Sequence, residues 1–223
     1  ETYRILTDKS VAAIPLFTMA GYILSKSSAG RRFISLFDAM FGFFRGGTVV
    51  ASVIVMAFFT TFTGVSGVTI LALGSLLSVI LSGSGYTKDK AESLITSCGA
   101  LGLLFPPSVA IIMYGTVNYF SVDVFDLFKG SFIPGVIMSL SMIAVGVFYD
   151  KRTEFPKFSF KKIALALKEC WAEILLPAII CITYFTGVFD LLQVSSFAVV
   201  YSLLISLFLR KDFGFGRAVE IVA

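Results

Sequence analysis

The 223-residue chain contains no histidine. That removes the commonest general base and a frequent metal ligand. Its three cysteines, Cys98, Cys170 and Cys181, lie in or beside apolar segments without metal-like spacing. Neither a disulfide framework nor a zinc site is expected. Charge is scarce: 14% of residues are charged against 57% hydrophobic, with a mean hydropathy of +0.93. This composition excludes a soluble domain and predicts an all-α polytopic membrane protein. The net charge of +4 does not call for a nucleic-acid partner, because the basic residues gather in particular loops.

Six apolar units can be read: Val11–Ser25, Thr48–Ser82, Ala91–Val117, Ser131–Tyr149, Ile174–Phe189 and Leu191–Leu209. Their interiors hold no Asp, Glu, Lys, Arg or His. Ionisable groups inside a membrane normally mark proton relays, so their absence argues against proton coupling. The chain starts at Glu1 rather than Met and is expected to be a fragment of a longer protein. No convincing internal repeat is visible, although an inverted partner half could lie beyond Ala223.

The loops set a topology. Lys26, Arg31, Arg32 and Arg45 flank the second unit, and Lys151, Arg152, Lys157, Lys161, Lys162 and Lys168 follow the fourth. Loop 118–130 carries only Lys129. The positive-inside rule places the rich loops in the cytoplasm, the N-terminus outside and the C-terminus inside. Two amphipathic helices are predicted in the rich loops, over Arg31–Arg45 and Ser159–Trp171. Lipid anchoring in the interface is one use for them, and bracing a static scaffold is another.

The segment from Gly46 to Thr87 carries no charge, yet it breaks at Thr63-Gly64-Val65-Ser66-Gly67. Arg45 before it and Lys88 and Lys90 after it place both ends on the same side. Its arms, Thr48–Phe62 and Val68–Ser82, have about 15 residues each, reaching roughly 22 Å against a ~30 Å hydrocarbon core. A re-entrant hairpin fits, while two full spans with a tight outer turn remain the competing arrangement. The next unit breaks at Gly102-Leu103-Leu104-Phe105-Pro106-Pro107-Ser108. Irregular backbone at membrane depth is tolerated only where protein or a water-filled cavity covers it. Paired broken spans are the sequence pointer to a secondary transporter's binding site.

Thr60, Thr61, Thr63 and Ser66 gather at the hairpin break with Gly64 and Gly67. The second arm presents its N–H groups and positive dipole end there, which favours an anionic group such as a carboxylate at Gly64, Ser66 and Gly67. Pro106 and Pro107 free carbonyls one turn earlier, which could coordinate a cation. Oxygen-only ligands suit an alkali ion; sodium is the natural candidate, and the ligands themselves leave potassium open. Tight packing by small residues and a passive kink are the alternatives.

Several motifs resemble one family. Ile14-Pro15-Leu16-Phe17-Thr18-Met19-Ala20-Gly21-Tyr22-Ile23-Leu24 is similar to the IPLFxLAGxIL segment of the large membrane subunit of tripartite ATP-independent periplasmic (TRAP) transporters. Phe58-Phe59 through Ala72-Leu73-Gly74, Gly85-Tyr86, Gly102 through Pro107-Ser108, Ile133-Pro134-Gly135 and Ala198-Val199-Val200-Tyr201 resemble its further motifs in order. The resemblance implies an ion-transporter-superfamily elevator fold in the bacterial inner membrane. It implies sodium-driven uptake of an organic acid, such as sialic acid or a C4-dicarboxylate. The implied partners are a small four-helix membrane subunit, a periplasmic substrate-binding protein, membrane lipid and a C-terminal half of the same subunit. By motif position, the implied sodium ligands are Thr60, Thr63, Gly102, Phe105 and Pro107. The expected organisation is a scaffold helix and interfacial helix over 1–47 and a transport region over 48–130. A connecting span over 131–157 and arm and scaffold helices over 158–223 complete it. A carrier of the same superfamily without a binding protein, an ion channel with the hairpin as filter, and a structural membrane subunit are the other readings. No enzymatic chemistry is expected.

Overall fold

A computed structural model describes residues 9–117, 123–150, 159–210 and 212. Among these residues the chain is helical, with no strand. The elements are α1 (Lys9–Lys26), α2 (Ala29–Phe41), α3 (Gly47–Thr63), α4 (Ser66–Gly83), α5 (Lys88–Cys98), α6 (Val109–Val117), α7 (Val124–Tyr149), α8 (Phe160–Phe185) and α9 (Leu191–Leu204). A 3-10 turn, Leu101–Leu104, joins α5 to the break before α6, and a π turn, Ile205–Leu209, ends α9.

Among the described residues, three helical stretches are long and apolar enough to cross a membrane: Ser66–Gly83, Val124–Tyr149 and Leu192–Leu209. The pair Lys88–Leu104 and Val109–Gly115, bent by 43°, could make a fourth. The predicted break in that unit is therefore present. The peptide bond between Pro106 and Pro107 within it is cis.

The hairpin follows from two special residues. Gly64 takes φ +65°, the left-handed region that glycine enters without strain, and its N–H donates to the Thr60 carbonyl at 2.9 Å. Val65 is extended, and α4 then starts at Ser66. At the other end, the Ser84 hydroxyl lies 3.3 Å from that of Thr48, so the two arms close at their bases. The buried residues of α4, Thr69, Leu73, Leu77 and Leu81, recur every fourth position and form one face. The opposite face leaves Leu71 85% and Val79 72% exposed, as suits a lipid-facing surface.

The base of the hairpin is fastened to the end of α7. Buried Asp150 accepts the Gly46 N–H at 2.6 Å and so caps the first arm, while the Tyr86 hydroxyl donates to the Gly146 carbonyl at 2.6 Å. Helix α1 runs through the core, burying Phe17, Ile23 and Leu24 between α9 and the hairpin.

Three sequence expectations need correction. Ser159–Trp171 and Ile174–Phe189 are not separate elements but are joined in one uninterrupted helix, α8, which ends at Phe185. Ala172 and Glu173 carry the helix across the junction, and Pro177 lies inside it. The fourth unit begins at Val124 rather than Ser131, because Asp123 caps it by accepting the Phe125 N–H. Helix α2 ends at Phe41, not Arg45, and turns its apolar face to protein: Phe33 packs on Phe58 and Phe59, with ring centroids 4.6 and 5.9 Å away. Residues 118–122 of the loop 118–130, and Lys151, Arg152 and Lys157 of the basic loop, lie outside the described residues.

Candidate cation and substrate site

The end of α3 and the break after α5 are in backbone contact. An added Cβ at Gly102 would lie 2.2 Å from the Ala57 carbonyl oxygen, 2.5 Å from the Thr61 nitrogen and 2.7 Å from the Thr60 Cβ. Only glycine allows this approach. The Thr61 hydroxyl lies 2.9 Å from both the Ala57 and Gly102 carbonyl oxygens, so its single proton is shared between its own helix and the break. The Gly102 carbonyl also accepts the Phe105 N–H at 3.2 Å.

Thr60 lies at the same contact. Its side chain is fully buried, and its hydroxyl oxygen has no hydrogen-bond partner among the described residues. A buried hydroxyl without a partner is costly, and buried polar groups in native folds are nearly all satisfied. This hydroxyl is an oxygen ligand in search of a donor or a cation.

Thr63 is placed differently. Its hydroxyl lies 2.9 Å from that of Thr69 and 3.3 Å from the Val65 carbonyl oxygen. Both threonines are fully buried. These partners belong to the hairpin, so the Thr63 hydroxyl laces the turn, and the hydroxyl that reaches the break is Thr61's. Phe105 is extended, with its ring edge-on to Phe132 at 5.8 Å, and Pro107 is buried.

The tip meets the far side of the break as well. A Cβ at Gly64 would lie 2.5 Å from the Val109 Cβ, so the turn rests on the first residue of α6. The Ser108 hydroxyl, 3.5 Å from the Ile111 nitrogen, caps α6 weakly. The N-termini of α4 and α6 thus come together at the tip, where both dipoles favour negative charge. Val65 is 46% exposed, and nothing lies within 4 Å of a Cβ built on Gly67. Among the described residues, no group of three His, Cys, Asp or Glu side chains could hold a metal ion.

The structure brings Thr60 against Gly102, whose carbonyl bonds the Phe105 N–H, and puts Gly64, Ser66 and Gly67 at the turn; among the described residues, no contact places Pro107 beside Thr60. Thr61 and Thr69 were not in the predicted ligand set. Thr61 stood in the hydroxyl cluster, but nothing local distinguished it from Thr60. Thr69 carried a usable signal, because it begins the four-residue repeat of the buried face of α4.

Comparison with known proteins adds the family context. The family described as "Tripartite ATP-independent periplasmic transporter, DctM component" matches residues 2–223. The chain is 32% identical over 209 residues to the C4-dicarboxylate TRAP transporter large permease protein DctM of Vibrio cholerae, covering 92% of this chain and 46% of that protein. It is 27% identical to the isethionate TRAP transporter permease protein DctMQ of Oleidesulfovibrio alaskensis, covering 95% of this chain and 34% of that protein. It is 25% identical to the sialic acid TRAP transporter permease protein SiaT of Haemophilus influenzae, covering 90% of this chain and 33% of that protein. The chain thus spans between a third and a half of these curated relatives.

Proposed function

The chain belongs to the DctM family of TRAP transporter large permeases, and on that premise we propose that it forms the first half of a sodium-coupled importer of a small organic acid. It is a multi-pass protein of the bacterial inner membrane, and its relatives are named as permeases rather than enzymes. In the proposal, a periplasmic binding protein delivers the substrate, and a small membrane subunit flanks the large one. The second half supplies the facing wall of the site. The relatives' names span C4-dicarboxylates, isethionate and sialic acid. Each of these compounds bears an acid group, so an organic anion is the substrate class proposed here.

One observation carries the reading: the orphaned Thr60 hydroxyl, buried where α3 touches Gly102. Sodium would be held there by Thr60 with freed carbonyls of the Gly102–Pro107 break, and the ion would tie the hairpin to that break. Thr63 enters the shell only by turning away from Thr69. The substrate's acid group would meet the paired helix N-termini at Gly64, Ser66 and Gly67. The hairpin, its partner break and α7 would move together as the elevator, since Asp150 and Tyr86 bind the hairpin base to α7.

The test is sodium-driven uptake into proteoliposomes by the gene product at its full encoded length, with its companion proteins. Thr60→Ser should keep native sodium activation. Thr60→Val, of like shape but without the oxygen, should need about tenfold more sodium, the effect of ~1.4 kcal/mol in ion affinity. Unchanged sodium activation in Thr60→Val, or uptake without sodium, overturns the proposal.

A further inference from the structure

A cavity of about 310 Å³ lies between α2 and α8, away from the hairpin tip. Ser35, Asp38 and Ala39 line one wall, and Ser159, Lys162, Leu165, Ala166 and Glu169 the other. Phe43 and Leu165 at its margin are 41% and 54% exposed. The Asp38, Lys162 and Glu169 side chains form no ion pair among the described residues. One cation and two anions thus line a shared amphipathic groove without an ion-pair partner among the described residues. Helices α2 and α8 carry the basic flanks that the positive-inside rule assigns to the cytoplasmic interface.

We propose that this groove binds the headgroup of phosphatidylethanolamine from the cytoplasmic leaflet. The charge pattern selects the occupant. Lys162, aided by the Ser35 and Ser159 hydroxyls, matches a phosphate. Asp38 and Glu169 match a primary ammonium, which donates up to three hydrogen bonds. Phosphatidylglycerol brings a phosphate for Lys162 but no cation for the two carboxylates. Phosphatidylcholine brings a quaternary ammonium with no hydrogen to donate. Exposed Phe43 and Leu165 give the upper acyl chain an apolar rest. The inference rests on the membrane location and not on sodium coupling, so failure of the uptake test leaves it standing.

Native mass spectrometry of the full-length gene product and its companion subunit tests this, using the three lipids with identical acyl chains. Phosphatidylethanolamine should bind more tightly than the other two. Lys162→Ala should lower both phosphatidylethanolamine and phosphatidylglycerol binding, by about two- to fivefold, the range of an exposed ion pair. Asp38→Asn with Glu169→Gln should weaken phosphatidylethanolamine and strengthen phosphatidylglycerol, removing the preference. These side chains are at least partly exposed, so folding should survive. Equal binding of the three lipids, a preference that survives both variants, or loss of binding on adding the companion subunit overturns the proposal.

Discussion

The Glu173 carboxylate lies 2.6 Å from the Arg32 guanidinium and is wholly buried. Arg210 binds the same carboxylate with two nitrogens, each at 3.1 Å, and Arg32 also reaches Asp212 at 3.3 Å. The Ser28 hydroxyl donates to Asp212 and accepts from Arg32, and Arg210 donates to the Glu169 carbonyl. Two arginines and two acids balance their charges where α2, α8 and the segment after α9 converge. The cluster locks three elements that are distant in sequence.

Removing Glu173 should therefore be severe. Breaking a buried pair leaves an uncompensated charge and costs about 3–5 kcal/mol. Glu173→Ala should lower the melting temperature in detergent strongly, and Glu173→Gln nearly as much, because both leave two arginines facing each other. Arg32→Met should then add less in the Glu173→Ala background than alone, since the contact is already lost. Additive effects would show that the three groups act independently.

This cluster also marks where the sequence stopped being legible. The breaks at Gly64 and at Gly102–Pro107 were readable because glycine and proline act through their own backbone. The hydroxyl cluster at the tip was readable for the same local reason. The continuity of α8 was not. Lys168, Glu169 and Glu173 look like the polar end of an interfacial helix, and only Arg32 and Arg210 make Glu173 fit for burial. The roles of Thr61 and Thr69 likewise depend on contacts made after the hairpin has closed.

The two glycines at positions 67 and 102 should behave oppositely. Gly102→Ala drives a methyl group into the Ala57 carbonyl and the Thr61 nitrogen, both backbone atoms that cannot rotate away. The break must move off α3, at a cost of about 1–3 kcal/mol, and uptake should fall with stability. Gly67→Ala meets open space within a helix, so melting should hold or rise by up to ~1 kcal/mol of stability. If Gly67 faces substrate, its alanine variant should raise the substrate KM while the protein stays folded. A wild-type KM would remove Gly67 from the proposed substrate wall.

Hairpin depth can be measured by labelling. The bases of α3 and α4 adjoin at Thr48 and Ser84, which predicts that both flanks emerge on one face of the membrane. Gly46 and Ser84 are poor reporters, since the first has φ +81° against Val147 and the second is buried. Phe44→Cys and Thr87→Cys are exposed and suit better. In a background without the three native cysteines, a membrane-impermeant maleimide should label both from the cytoplasmic side. Val65→Cys at the tip should react more slowly than either. Labelling of Val65→Cys from the outer face would replace the re-entrant hairpin with two full spans, and labelling of Phe44→Cys and Thr87→Cys from opposite faces would overturn both arrangements.

Thr63 separates coordination from turn-lacing. Its hydroxyl faces Thr69 across the turn at 2.9 Å, so a packing or hydrogen-bond role predicts coupling between these two residues. Thr63→Val should strand the buried Thr69 hydroxyl and cost about 1–3 kcal/mol, Thr69→Val should cost less because the Thr63 hydroxyl keeps the Val65 carbonyl, and the double variant should cost less than their sum. A sodium ligand predicts something else. Thr63→Ser keeps the oxygen and should retain native sodium activation. Thr63→Ala and Thr63→Val should both need more sodium, whatever their melting temperatures. If the hydroxyl only laces the turn, stability falls in the Thr63 variants while the sodium concentration for half-maximal uptake stays fixed. That second pattern would leave the proposed ion with Thr60 and the carbonyls of the break.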